Sequence, residues 1–182
     1  EFINYEGEIY SLLNYQADWL SASPPMVYVG ANGPMMLKMA GRVADGVMLS
    51  DVPLSRMAEV NTHMQAGREA AGRADGPPQV ANFFAWHIKE DRALAQAEAR
   101  MEMIWRGLLQ AWHTSPFLGD EDAAFVEEHK DAFLQAFLKR TPEIEGVPEH
   151  LIQSLVDNLT FTGGPEDIDK IAAHLDEFAD AG

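Results

Sequence analysis

The chain has 182 residues, of which 47 % are hydrophobic and 23 % charged, with no cysteine and a formal charge of −16. This is the composition of an ordinary globular domain, and it excludes a disulfide scaffold and thiolate chemistry. So negative a surface repels nucleic-acid backbones and anionic lipid, and no apolar run reaches the ~18 residues of a membrane span.

Residues 2–5 and 9–12 are β-prone runs flanking Glu6-Gly7-Glu8, which predicts a hairpin with a three-residue loop. Residues 14–23 read as an irregular polar stretch with Trp19 and Leu20 as its anchors. Met26 to Val29 is a short apolar run bounded by Pro25 and Gly30, as expected of a strand buried on both faces. Gly30-Ala31-Asn32-Gly33 then forms a tight turn, and Pro34 sits where a helix begins, its missing N–H costing nothing there. The helix is predicted over residues 35–43, with Met36, Met39, Ala40 and Val43 at helical spacing. Met35, Met36 and Met39 read as packing residues rather than as a cofactor box.

A strand over residues 46–49 ends in Ser50-Asp51, and Pro53 opens a helix to about residue 73 with Asp51 as its N-cap. Ala74-Asp75-Gly76-Pro77-Pro78 is a strong turn signal. Residues 79–88 then read as one strand, apolar except for Asn82 and His87. Beyond Lys89 only helical periodicity is evident: one long helix over residues 91–112, a second over 120–139, a shorter one over 148–158 and a last over 165–178. This part carries most of the charge. Residues 120–182 hold 16 acidic and 4 basic side chains, against 13 and 9 in residues 1–119.

The unit from residue 26 to residue 49 is therefore strand, glycine turn, helix, strand. Free amides at such a helix start favour an anion, so a phosphate-bearing cofactor is one expectation and a turn that binds nothing is the other. Gly30-x-x-Gly33 matches neither the dinucleotide fingerprint nor the Walker loop.

The wording Val27-Tyr28-Val29-Gly30-Ala31-Asn32-Gly33-Pro34, with Ala44-Asp45-Gly46-Val47 after the helix, resembles the luciferase-like monooxygenase superfamily. It is most similar to the branch that depends on the deazaflavin coenzyme F420, which includes methylenetetrahydromethanopterin reductase. Tyr5-Glu6-Gly7-Glu8-Ile9-Tyr10 is similar to the hairpin before that family's fifth barrel strand, and Leu159-Thr160-Phe161-Thr162-Gly163-Gly164-Pro165-Glu166-Asp167 to the segment leading into its last helices. The resemblance implies an α/β fold of the (β/α)8 barrel type, which takes about 250 residues. By it, residues 1–182 are the C-terminal part of one barrel domain, about strands five to seven, with residues 91–158 a helical insertion that helps close the substrate pocket.

The same resemblance implies a cytoplasmic F420-dependent oxidoreductase that transfers hydride between the deazaflavin and a small organic substrate. The alternatives are an FMN-dependent monooxygenase of the same fold and a non-catalytic half-barrel that binds a partner. A homodimer, or association with the missing barrel half, is expected to cover the open sheet edges. The expected cofactor-binding residues are Gly30, Ala31, Asn32 and Gly33 at the phosphate turn, with Ser50 close to the cofactor. Ser50 could equally cap a helix, and Asn32 could either meet the cofactor or stabilise its turn.

Lys38 and Arg42 read as solvated charges. His87, at the carboxyl end of a strand, is the candidate base or proton relay, with a hydrogen-bonded structural histidine as the competing reading. His63, His113, His129, His150 and His174 have no metal spacing, so no metal is expected. Phe83, Phe84 and Trp86 are read as filling the barrel interior and its helix interface alternately, and Trp105, Trp112 and Phe117 as core or pocket lining.

Overall fold

The structure, a computed structural model, describes residues 2–16, 18, 23, 25–73, 76 and 79–182. The expected anchors Trp19 and Leu20, and most of the turn at residues 74–78, lie outside them. Strands β1 (Ile3–Glu6) and β2 (Ser11–Tyr15) form the antiparallel hairpin. Its loop is four residues rather than three: Glu6 pairs with Ser11, and Gly7 N–H donates to the Tyr10 carbonyl. Every residue of both strands is exposed.

A parallel three-stranded sheet follows in the order β3 (Tyr28–Gly30), β4 (Gly46–Ser50), β5 (Gln79–Phe83). β3 is not buried on both faces as expected; Met26 and Val27 are 52 % and 54 % exposed. The reason is position. β3 is an edge strand, and only Val29 turns toward the helices and packs on the core. On the covered face, Val47 and Leu49 are fully buried beneath helices α1 (Pro34–Val43) and α2 (Met57–Ala70).

α1 buries Leu37, Ala40 and Gly41, one step round from the expected stripe. Met35 and Met36 are exposed instead of packed, as is Val43. Glycine fixes this phase: a Cβ on Gly41 would stand 2.1 Å from the Met64 carbonyl oxygen, and one on Gly67 2.1 Å from that of Lys38. The two helices touch backbone to backbone, which only glycine on each permits.

The single strand expected over residues 79–88 changes partner midway. β5 pairs with β4, and β6 (Ala85–Ile88) pairs in parallel with β7 (Thr160–Gly163), a strand the helical periodicity did not predict. At the break, Phe84 packs against Phe161 and Phe178, ring centroids 5.0 and 5.2 Å away. Asn82, Phe84, Trp86 and Phe161 line one cavity of about 410 Å³ beneath helix α8 (Ile168–Ala181). Side chains alternate along a strand, so Phe83, Ala85 and His87 lie on the opposite face, the one Ser50 shares through its pairing with Phe83. Phe83 and Trp86 are exposed, not buried fillers.

The long helix expected over residues 91–112 is broken. α3 (Arg92–Met101), N-capped by Asp91, gives way to short 3-10 turns and then to α4 (Ala111–Leu118). Gly107, Leu108 and Leu109 all have left-handed φ, +57°, 52° and 49°, which no α-helix accommodates. The second long helix divides at His129 into α5 (Asp120–Glu128) and α6 (Lys130–Lys139). With α7 (Glu149–Leu159) they enclose a second core around Met103, Leu109, Phe133, Leu155 and Leu159. Among the described residues, no helix is long and apolar enough to cross a membrane.

Candidate functional site

The parallel strands aim their carboxyl ends at three loops, following Gly30, Ser50 and Ile88. In the first, nothing among the described residues requires Gly30 or Gly33. A Cβ on either would meet none of their atoms within 4 Å, and neither has a left-handed φ, Gly33 standing at −93°. What their missing side chains leave is open space outside the chain, beside the α1 N-terminus. The Ala31 N–H is already bonded to the Met48 carbonyl at 3.1 Å. Pro34 has no N–H, so the donors without a partner there, among the described residues, are those of Asn32 and Gly33 and of the first turn of α1. This cradle, open and donor-lined, suits a phosphate group.

Asn32 does not present its side chain to that space. Its Nδ2 donates to the Ser50 carbonyl at 2.8 Å and its Oδ1 accepts from the Ser50 N–H at 3.0 Å. Asn82 makes the same reciprocal pair with Val52, at 2.8 and 3.3 Å. Two carboxamides thus hold the loop after β4 from both sides. Ser50 is exposed, and its hydroxyl donates to Asp51 Oδ2 at 3.0 Å.

Asp51 caps no helix, contrary to expectation. It is 3 % exposed with φ 54°, and its Oδ1 accepts from Arg106 Nη1 at 3.1 Å. α2 starts later, after a 3-10 turn over Leu54–Arg56, and has no side-chain cap. The Asp51 carbonyl accepts from His113 Nε2 at 2.7 Å. Arg56 Nη1 lies 3.3 Å from the other ring nitrogen, and since a guanidinium can only donate, His113 is the neutral tautomer protonated on Nε2. Burial agrees: it pushes the His113 pKa below its ordinary value, against the opposing pull of its bond to Asp51.

Arg56, 1 % exposed, also donates to the Asn32 carbonyl and forks onto Glu59, whose carboxyl it holds below the usual range. The Trp112 ring covers its guanidinium at 4.9 Å. Loop 31–33, loop 50–52 and the helical segment therefore share one polar network. Sequence reasoning did not single out Arg56 or Arg106, and met His113 only as one scattered histidine. Gly107, inside a run read as helix, was the available signal. A Cβ there would stand 2.2 Å from the His113 ring.

His87 has the carboxylate that a base or relay needs. It is 4 % exposed, and its Nδ1 lies 2.9 Å from Glu98 Oε2. Lys89 reaches the same oxygen at 3.1 Å, and the His87 hydrogen bond first, then Lys89, lowers the Glu98 pKa. With Nδ1–H committed to Glu98, the buried Nε2 has no partner among the described residues. Lys38 and Arg42 are both exposed.

Comparisons with known proteins agree with this architecture. The chain is 25 % identical over 170 residues to the 5,10-methylenetetrahydromethanopterin reductase of Archaeoglobus fulgidus, a match covering 91 % of the chain and 49 % of that enzyme. Against the enzyme of the same name from Methanolobus tindarius it is 33 % identical over 75 residues, 41 % of the chain and 23 % of the relative. The coenzyme F420-dependent tetrahydromethanopterin reductase of Methanopyrus kandleri superposes with a TM-score of 0.70 at 20 % identity, over 98 % of this chain and 49 % of that one. An F420-dependent secondary alcohol dehydrogenase, solved with an F420-acetone adduct, superposes with a TM-score of 0.65 at 17 % identity, over 100 % and 48 %. The chain thus spans about half the length of the relatives that it matches along most of its own. The profile of the luciferase-like monooxygenase family matches residues 1–182, and the chain belongs to that family.

Proposed function

We propose that this chain is part of an F420-dependent oxidoreductase, and that the turn at residues 30–33 holds the cofactor phosphate. The observation that carries the reading is the pair of glycines, Gly30 and Gly33, which no neighbour among the described residues and no backbone angle requires. The names of the matched relatives supply the identity of the cofactor. When bound, the deazaflavin would supply hydride transfer to or from an organic substrate.

The chain's own residues would do the rest. The free N–H groups of Asn32, Gly33 and the first turn of α1 would meet the phosphate. Ala31, through its N–H, and Asn32, through its side chain, would hold the turn in shape. Ser50, on the uncovered face of β4, would lie along the cofactor. His87, on the same sheet face and oriented by Glu98, would exchange a proton through Nε2.

The barrel reading belongs to the same proposal. Among the described residues β3 pairs only with β4 and β7 only with β6, so each offers an open edge that further strands would cover. Residues 1–182 would be the C-terminal part of one barrel domain, residues 91–158 its helical insertion, and activity would need the remaining strands.

Fluorescence titration with F420 and, separately, FMN tests the cofactor. Binding of F420 at least 10-fold tighter than FMN is expected, and Gly30→Ala should weaken it about 10-fold or more while leaving stability within ~0.5 kcal/mol. A wild-type chain that binds FMN and not F420 would turn the reading toward the monooxygenase chemistry.

A further inference from the structure

Three of the five non-glycine residues with left-handed φ among the described residues meet at one place, the others being Asn14 in the hairpin and Arg140 after α6. Asp51 and the pair Leu108–Leu109 are non-glycine residues with left-handed φ, a conformation that costs on the order of 1–3 kcal/mol and clusters at functional sites. Arg106 immediately precedes the strained segment and bonds to Asp51. Gly107 lets the His113 ring pack against that segment, and His113 in turn holds the Asp51 carbonyl. Two strained loops from separate elements are therefore fastened to each other at the carboxyl end of β4.

What they present is a half-used guanidinium. Arg106 spends Nη1 on Asp51. Its Nε–H is buried without an acceptor, and among the described residues its Nη2 has none either. Nε and Nη2 form the side edge of the fork, the geometry that takes a carboxylate or phosphate through two parallel hydrogen bonds. The Asp51 carboxylate fixes the guanidinium from one side and accepts the Ser50 hydroxyl on its other oxygen. Through Asp51 the guanidinium is tied to Ser50, which shares its face of the sheet with Gly30, and its free edge is turned away from that carboxylate. Arg56 offers no such edge, because Glu59 and Asn32 occupy its Nε and both donors of its Nη2, and His113 takes one of the two on Nη1.

We infer that Arg106 is an anion-binding residue of the site, positioned by Asp51 to take a phosphate or carboxylate oxygen of the bound ligand through its Nε–Nη2 edge. The inference rests on the proposed cofactor site for its setting. The anionic oxygen belongs either to the cofactor phosphate or to a substrate carboxylate.

The test compares wild type, Arg106→Ala and Arg106→Lys, with the melting temperature of each checked first. Lysine keeps a charge for Asp51 to pair with but has no fork, so it reports even if the alanine variant fails to fold. Each protein is titrated with F420, with the same deazaflavin lacking the phosphate, and, once loaded with F420, with benzoate as a simple carboxylate. A loss of about 10-fold or more in F420 affinity, with the phosphate-free ring unaffected, would identify the cofactor phosphate as the source. Unchanged F420 affinity with a similar loss for benzoate would identify a substrate carboxylate.

Affinities within 2-fold of wild type for all three probes would overturn the inference, as would an equal loss for both deazaflavins. Inorganic phosphate titrated by 31P NMR keeps the two readings apart. If wild type binds neither deazaflavin, the cofactor reading fails, whereas Arg106 is still decided by whether the variants lose the phosphate-induced shift.

Discussion

Replacing His113 with alanine tests the polar network at its centre. The ring is 0 % exposed and makes two bonds, to the Asp51 carbonyl at 2.7 Å and to Arg56 Nη1 at 3.3 Å. Its removal leaves a buried carbonyl and one donor of a buried guanidinium unpaired, each costing about 1–3 kcal/mol. The sum, roughly 2–6 kcal/mol, is a large part of the ~5–15 kcal/mol that holds a domain together. Urea unfolding followed by tryptophan fluorescence measures it, Trp105 and Trp112 lying in this same segment.

A second axis comes from pH. The folded-state pKa of His113 is depressed below its ordinary value of about 6.5, chiefly by burial. Between those two values the unfolded chain binds the extra proton, so stability rises with pH through that window. The contribution is complete above about pH 6.5 and is lost as pH falls toward the folded pKa. His113→Ala should flatten this part of the stability curve, and the difference between the two proteins isolates His113 from the other histidines. A loss below 1 kcal/mol, or an unchanged slope between about pH 5 and 6.5, would refute the reasoning.

Gly67→Ala should cost about 1–3 kcal/mol in thermal unfolding, because its Cβ would have to displace the Lys38 backbone. Asn82→Ala removes both partners of the Val52 main chain, and should cost about 1–3 kcal/mol and speed amide hydrogen exchange at Val52 more than at Val47.

The sheet core was legible because its signals are local. β4, the start of α1 at Pro34 and the hairpin follow from short apolar runs and from Gly and Pro, whose conformational limits travel with the residue. The phase of α1 was not legible. Met36 and Leu37 are interchangeable to a periodicity argument, and the close crossing at Gly41 and Gly67, 26 positions apart in sequence, decided which faced inward. β7 escaped because Thr160-Phe161-Thr162-Gly163 carries no apolar run of its own and becomes a strand only by pairing with β6.

For the site, the sequence by itself pointed to the turn Gly30 to Gly33 and to His87, each by residue type at a strand end, and the family resemblance added Ser50. Only the tertiary structure decided what these groups are bonded to. Asn32 turned out to clamp Ser50, His87 to face Glu98, and Asp51 to meet Arg106 and His113 from 55 and 62 residues away. Hydrogen-bonded networks are assembled across chain distance, by burial that brings charges together and requires that each find a partner, and no spacing in one sequence records which partner that is.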